Sequence, residues 1–167
     1  MGSAVSIQPI TRRNALVFKA VRLRALQDAP TAFGSTYAQT VRLTDDDWRR
    51  RADEWSGESS ASFLAMDAGV PCGMVGCFLG REDASRAHLV AMWVAPGHRR
   101  AGMGRELVDA VVDWTRAKGV GEVRLTVTSN NDSAIRFYRA LGFAFTGGTE
   151  PYPNDPDLVE YEMIRTL

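Results

Sequence analysis

Apolar and polar residues alternate with two different periods in the first third of the chain. VSIQPI alternates as a strand does, and RNALVFKAVRLRALQDAP has apolar residues at near-helical spacing until Pro30 stops the helix. These residues are Leu16, Ala20, Leu23 and Leu26. TDDDWRRRADEW opens with Thr44 and Asp47 in a capping-box arrangement, which predicts a second, very polar helix.

The rest of the chain continues with the same two periods. SFLAMDAGVPCGMVGCFLG predicts a hairpin that turns at Asp67-Ala68-Gly69, and AHLVAMWV predicts a third strand. RELVDAVVDWTRAKG and NDSAIRFYRALGF predict helices, EVRLTV a strand between them, and FAFTGG and LVEYEMIRTL the last two strands. The order β-α-α-β-β-β-α-β-α-β-β predicts an α/β fold, one mixed sheet with helices on both faces.

Size and charge narrow the classes of function. The 167 residues contain no repeat or long linker, so residues 1–167 are expected to form a single domain. Lys plus Arg and Asp plus Glu both number 20, so no overall field attracts nucleic acid or an anionic membrane. We expect neither partner. With no long apolar run and no signal-peptide core before Arg12, a cytoplasmic location is expected.

Two cysteines, Cys72 and Cys77, lie in one predicted strand. Five positions apart on a strand, they are expected to point to opposite faces and to be buried thiols. No disulfide or metal site is predicted from them.

The segment VAPGHRRAGMGRELV joins a strand directly to a helix that begins near Gly102. A helix start presents unpaired N–H groups, and a phosphate or pyrophosphate is the natural ligand of such groups. Gly102 and Gly104 lack a Cβ that would hold the ligand away. Arg99, Arg100 and Arg105 would add positive charge.

Two common phosphate-binding motifs do not fit this segment. The dinucleotide fingerprint needs a third Gly or Ala where the chain has Leu107, and Glu122 begins the next strand instead of ending it. The nucleoside triphosphate loop needs Gly-Lys-Ser/Thr, whereas Gly104 is followed by Arg105 and Glu106.

Two motifs resemble the GNAT superfamily of acyl-CoA N-acyltransferases. Arg99-Arg100-Ala101-Gly102-Met103-Gly104 follows Val94-Ala95-Pro96 with the family's spacing for Arg/Gln-x-x-Gly-x-Gly/Ala. Asn131-Asp132-Ser133-Ala134, continuing through Tyr138 to Leu141-Gly142-Phe143, is similar to its second signature. The resemblance implies a GNAT-like fold, with a largely antiparallel central sheet of about seven strands and four helices on both faces.

The resemblance also implies where acetyl-CoA, the co-substrate, would bind. Backbone groups of Arg99 to Gly104 would hold its pyrophosphate, and Met92 to Val94 would pair with its pantetheine arm. Asn131 would either contact that arm or only cap its helix. The implied cofactor-binding residues are Met92, Val94, Arg99, Arg100, Ala101, Gly102, Met103, Gly104 and Asn131.

Catalysis in this family implies an N-acetyltransferase that acts by direct attack of a primary amine in a ternary complex. Tyr138 is the candidate general acid, because a phenol is protonated at neutral pH and can donate to the departing thiolate. Two alternatives stay open: a non-catalytic acyl-CoA sensor or regulatory domain, and a nucleotide-binding module.

The amine acceptor is the least determined partner, and it could be a small molecule or a peptide N-terminus. Phe33, Tyr37, Trp93 and Glu150 are candidate substrate contacts, with Trp93 equally a core residue. His88, four positions before Met92, lies roughly 13 Å from it along a strand, too far for a direct base. An acidic loop near the C-terminus is either a solvated turn or a wall that attracts a cationic amine, and no base is assigned. Its acidic residues are Glu150, Asp155, Asp157 and Glu160. An edge strand near the C-terminus would permit two chains to pair as a homodimer.

Overall fold

The computed structural model describes residues 5–30, 35–99, 102–153 and 155–167. Their strands are β1 (Val5–Pro9), β2 (Ser60–Asp67), β3 (Val70–Leu79), β4 (Ala87–Val94), β5 (Glu122–Thr128), β6 (Ala144–Pro151) and β7 (Val159–Thr166). Their α-helices are α1 (Ala15–Asp28), α2 (Tyr37–Thr40), α3 (Asp45–Glu54), α4 (Met103–Ala117) and α5 (Asp132–Ala140). All predicted strands and helices are confirmed, and α2 is an addition.

Reciprocal caps explain why two of the helices begin where they do. Thr44 accepts a hydrogen bond from the Asp47 N–H at 3.1 Å, and the Asp47 carboxylate accepts one from the Thr44 N–H at 2.9 Å. The predicted capping box of α3 is therefore confirmed. Thr36 and Gln39 form the same arrangement at the single turn of α2, which the apolar pattern is too short to predict.

The seven strands form one sheet in the order β1-β2-β3-β4-β5-β7-β6. Strands β4 and β5 are parallel, and the other neighbouring pairs are antiparallel. A parallel pair needs a crossover connection, and α4 supplies it. The prediction of a largely antiparallel, mixed sheet is confirmed.

Helices cover both faces of the β2–β4 part of the sheet, as predicted. A Cβ on Gly76 would lie 3.0 Å from the Trp55 ring that follows α3, whereas a Cβ on Gly73 would lie 3.3 Å from Leu107 in α4. Glycine at these two positions lets helices approach opposite faces of β3 closely. In the described ranges, no helix is both long and apolar enough to cross a bilayer.

The rotation of α1 differs from the predicted one. Leu16 is 43% exposed, whereas Phe18, Val21 and Ala25 are fully buried. Phe18 packs against the rings of Trp48 and Trp55, each with a centroid distance of 5.2 Å. These aromatic contacts turn the Phe18 face of the helix toward the core. The prediction from spacing alone, which grouped Leu16 with the apolar face, is therefore wrong for Leu16.

The expectation that the two cysteines point to opposite faces is wrong. Cys72 Sγ lies 3.1 Å from Met103 Sδ and Cys77 Sγ lies 4.0 Å from Thr115 Oγ1, so both thiols contact α4. The β2–β3 register shifts where Gly73 pairs with Ala65 and Pro71 with Met66. This bulge at Cys72 interrupts the alternation of faces. Both cysteines are free and buried, as expected.

Candidate coenzyme and acceptor site

Strands β4 and β5 separate soon after they meet. Ala87 pairs with Val123 and His88 with Arg124, and the pairing ends there, although β4 continues to Val94. Beyond this point β5 remains paired with β7 through Thr128. The later residues of β4 therefore have their β5 side open, which leaves a slot where an extended ligand could add as a strand.

A bulge lies inside the slot, at Ala91. Ala91 has φ +56°, a left-handed conformation that is rare for a residue with a side chain. Here Met74 pairs with Trp93 and Gly76 with Val90, so two residues of β4 oppose one of β3. An alanine gives no sequence signal for such a conformation, and the bulge was not predicted.

The two residues after the bulge point to opposite faces, as alternation predicts. The Met92 side chain reaches toward α4, since its Cε lies 3.3 Å from where a Cβ on Gly104 would stand. Trp93 is 5% exposed and points toward α1, where its Nε1 donates to Asp28 Oδ2 at 2.9 Å. Most of the Trp93 ring is therefore core, with little surface left for an acceptor.

Helix α4 begins at the open end of this slot, and two glycines lie at its start, one just before the helix and one in its first turn. Gly102 has φ +80° and is the residue that precedes the helix, so the backbone itself favours glycine. At Gly104 a Cβ would lie 3.0 Å from the Phe137 ring of α5. Gly104 thus lets α4, α5 and Met92 meet, a packing role that the sequence did not predict.

The Arg99 side chain binds two groups of the protein itself. Its Nε donates to the Val94 carbonyl at 2.9 Å, and its NH2 group donates to Asp28 Oδ2 at 2.6 Å. The guanidinium charge is therefore partly balanced by Asp28, which the sequence did not single out. Two other predicted loop residues, Arg100 and Ala101, lie outside the described residues.

The two remaining predicted residues on the donor side lie just before α5 and within it. Asn131 caps it, because its side-chain oxygen accepts the Ala134 N–H at 3.2 Å; of the two roles left open, this contact supports the cap. Tyr138 is buried, and its ring packs against Phe137 and Phe143. Burial raises the pKa of the Tyr138 phenol, so it keeps its proton throughout the neutral range.

Strands β6 and β7, which lie beyond β5 at one edge of the sheet, bring acidic residues together. Glu150 pairs with Glu160 across the two strands, and the pKa of Glu160 is raised by burial and by the nearby Glu150 charge. Glu162 is instead bound by Arg124 at 3.2 Å and by the Thr146 hydroxyl at 2.8 Å. A cavity of about 80 Å³ is lined by Thr126, Gly148, Thr149, Glu150, Glu160 and Glu162.

The structure places the other residues predicted on the acceptor side in different surroundings. Tyr37 lies on α2 and is 36% exposed, as a contact residue must be. Phe33 lies outside the described residues. Asp155 accepts the Asp157 N–H at 2.9 Å, which is the turn role expected of such residues.

His88 stacks on Phe78 with a 5.1 Å centroid distance. Burial lowers the pKa of the His88 imidazole, and the Arg124 charge lowers it further.

Two curated acetyltransferases are similar to parts of this chain. Streptothricin acetyltransferase of Streptomyces lavendulae is 50% identical over 54 residues, which cover 32% of this chain and 29% of that protein. Mycothiol acetyltransferase of Beutenbergia cavernae is 33% identical over 112 residues, which cover 67% of this chain and 37% of that protein. The matches thus span only 29% and 37% of these relatives' lengths.

The fold is shared with solved structures over the whole chain. The PaiA N-acetyltransferase of Thermoplasma acidophilum, solved in complex with coenzyme A, superposes with a TM-score of 0.78 and 14% identity. The superposition covers 100% of both chains. Residues 24–143, most of the chain, match the family described as "Acetyltransferase (GNAT) family". With the fold and a matching domain both in place, the chain belongs to the GNAT acetyltransferase family.

Proposed function

We propose that this protein is an N-acetyltransferase that moves an acetyl group from acetyl-CoA to a primary amine by direct attack in a ternary complex. The observation that carries the proposal is the slot between β4 and β5 with the start of α4 at its open end. An extended arm attached to a pyrophosphate needs both features at once: unpaired strand backbone for the arm and helix N–H groups for the phosphates.

Backbone groups hold the donor in this proposal. The open edge of β4 from Met92 to Val94 pairs with the pantetheine arm, and the segment from Arg99 to Gly104 binds the pyrophosphate. Gly102 leaves open space where a Cβ would stand, so a phosphate can approach its backbone there. Gly104 contributes differently, because the space beside it is filled by Phe137 and Met92.

The reaction forms a C–N bond and breaks the C–S bond of the thioester. The neutral amine attacks the carbonyl carbon, and the nitrogen of the tetrahedral intermediate then loses a proton to water. The coenzyme leaves as a thiolate that takes a proton. Tyr138 is the proposed donor of that proton. Because burial raises its pKa, its hydroxyl holds the proton firmly and acts first as a hydrogen-bond donor to the sulfur.

The acceptor in this proposal is an amine that arrives as a cation. Glu150 and Glu160 face each other beside the 80 Å³ cavity, and an ammonium group there would relieve their mutual repulsion. Tyr37 would supply an apolar wall, together with Phe33 as predicted from the sequence. Whether two chains pair through β6, an edge strand whose eight residues are all exposed, stays a prediction.

Ligand-dependent thermal unfolding tests the proposal. A ligand at 100 times its Kd stabilises the native state by about 2.7 kcal/mol. That corresponds to a rise in Tm of roughly 5–10 °C for a protein of this size. We expect this rise with acetyl-CoA, and none with ATP or NAD at the same concentration.

Two outcomes would contradict it. If Tm does not rise with saturating acetyl-CoA, the protein has no coenzyme site. If Tm rises equally with ATP, the site binds nucleotides in general. If acetyl-CoA binds, a panel of mono- and polyamines assayed for thiol release separates an enzyme from a non-catalytic sensor, because a sensor releases no coenzyme thiol above the hydrolysis background.

A further inference from the structure

Asp28, the last residue of α1, joins three parts of the fold. Its Oδ2 atom accepts two hydrogen bonds, from Trp93 Nε1 at 2.9 Å and from the Arg99 NH2 group at 2.6 Å. Trp93 belongs to β4, and Arg99 belongs to the connection that leads into α4. One carboxylate oxygen therefore ties the end of a helix to the slot strand and to the pyrophosphate segment.

Arg99 is held at a second point by the slot strand itself. While its NH2 group binds Asp28, its Nε donates to the Val94 carbonyl at 2.9 Å. A planar guanidinium fixed at two of its donors has little rotational freedom left. The connection that carries Arg99 is consequently fastened to the end of β4.

Global stability does not explain this arrangement well. The Arg99 side chain is 50% exposed and that of Asp28 is 29% exposed, and ion pairs with this much solvent contact contribute little to unfolding free energy. A local effect is a better explanation, because ordering a short connection before a ligand arrives reduces the entropy lost on binding.

We propose that Asp28 is a positioning residue for the coenzyme pyrophosphate. Through Arg99 it fixes the point at which the chain leaves β4 on its way to the start of α4, whose N–H groups bind the phosphates in the proposed function. The inference rests on the proposed function, since it assumes that acetyl-CoA binds at this segment. Asp28 itself touches no reacting atom.

The test compares the two halves of the coenzyme by calorimetric titration. We expect Asp28→Ala to weaken binding of acetyl-CoA about tenfold, and to weaken the isolated adenine nucleotide half, which retains the pyrophosphate, by the same factor. Binding of S-acetylpantetheine, which lacks the pyrophosphate, should stay within twofold of the wild type. Asp28→Asn keeps an oxygen acceptor and should give a smaller loss, about threefold.

A double-mutant cycle tests whether Asp28 acts through Arg99. In a chain that already carries Arg99→Ala, adding Asp28→Ala should produce no further loss of affinity, because neighbours in one network are not additive. Asp53→Ala is the matched control: it breaks an exposed ion pair of similar length, Arg12 to Asp53 at 2.7 Å, away from β4 and α4. The control should bind acetyl-CoA like the wild type.

Several results would overturn the inference. Equal weakening of both halves of the coenzyme would indicate a structural role for Asp28. Unchanged or tighter binding in Asp28→Ala would mean that Arg99 works as well or better when released. Full loss in the Arg99→Ala background would exclude action through Arg99. If the wild type itself fails to bind acetyl-CoA, both the proposed function and this inference are wrong. If the wild type binds acetyl-CoA and Asp28→Ala binds it equally well, only the inference is wrong.

Discussion

The two sides of the β4–β5 slot differ in how well the sheet is covered. On one side, β3 buries six consecutive residues, Cys72 to Cys77, between α4 and the helices on the opposite face. On the other side, all eight residues of β6, Ala144 to Pro151, are exposed. The comparison separates two tasks: β3 lies in the core, and the edge strand β6 supplies accessible surface. The proposed site lies where the two sides part.

The largest expected effect tests this difference in burial directly. Leu64 on β2 is fully buried, so Leu64→Ala should lower the free energy of unfolding by about 3 kcal/mol. Phe145 on β6 is larger but 43% exposed, so Phe145→Ala should cost no more than about 1.5 kcal/mol. Denaturant unfolding measures both. Equal losses would show that the two sides of the sheet contribute equally to the free energy of unfolding.

Turnover should depend on one residue of α5. Tyr138→Phe removes the proposed proton donor and keeps the buried ring, so we expect kcat to fall about 100-fold, or about 2.7 kcal/mol in activation free energy. The Kd for acetyl-CoA should stay within twofold. Tyr161→Phe, a half-buried tyrosine of β7, is the matched control and should retain activity. Loss of coenzyme affinity together with kcat would instead assign Tyr138 a packing role.

Coenzyme affinity should depend on the close approach at Gly104. A Cβ there meets Phe137 at 3.0 Å, so Gly104→Val must displace α5 or Met92, and we expect acetyl-CoA to bind at least tenfold more weakly, about 1.4 kcal/mol. Gly121→Val is the control, because a Cβ at Gly121 meets no atom within 4 Å. Calorimetric titration measures both Kd values. Wild-type affinity in Gly104→Val would contradict the role of this contact.

The smallest expected effect concerns the acidic pair on β6 and β7. Burial and Glu150 raise the pKa of Glu160, so the folded protein binds a proton there more readily than the unfolded chain does. The ionised carboxylate therefore destabilises the fold, and this cost appears as pH rises through the folded pKa. Glu160→Gln should slightly raise Tm at pH 8, and the gain should vanish below about pH 4. A gain that is constant with pH would contradict the assigned cause.

Local features of the chain were predictable because they depend on near neighbours. The capping box of Thr44 and Asp47 involves two residues three positions apart, and its geometry is as expected. The start of α4 beside Gly102 follows from the same kind of local signal. The rotation of α1 was not predictable, because Phe18 is oriented by Trp48 and Trp55, which lie on and just after another helix.

The site was only partly predictable, because some of its features depend on residues that are remote in the chain. The glycine segment and Tyr138 stood out as motifs, whereas the bulge at Ala91 has no signal in the residue type. Asp28 is separated from Trp93 by 65 positions and from Arg99 by 71, so no sequence spacing relates them. Their contact exists because α1 ends against the strand from which the pyrophosphate segment departs.

The sequence by itself determined the strands, most helices, the capping box of α3 and the glycine segment between β4 and α4. These follow from periodicity and from backbone groups that find partners within a few residues. Only the tertiary structure decided that β4 and β5 part after two paired positions, that Gly104 packs on Phe137, and that Asp28 holds Arg99. Such features depend on how separately formed elements pack, and their contacts join residues that are remote in the chain.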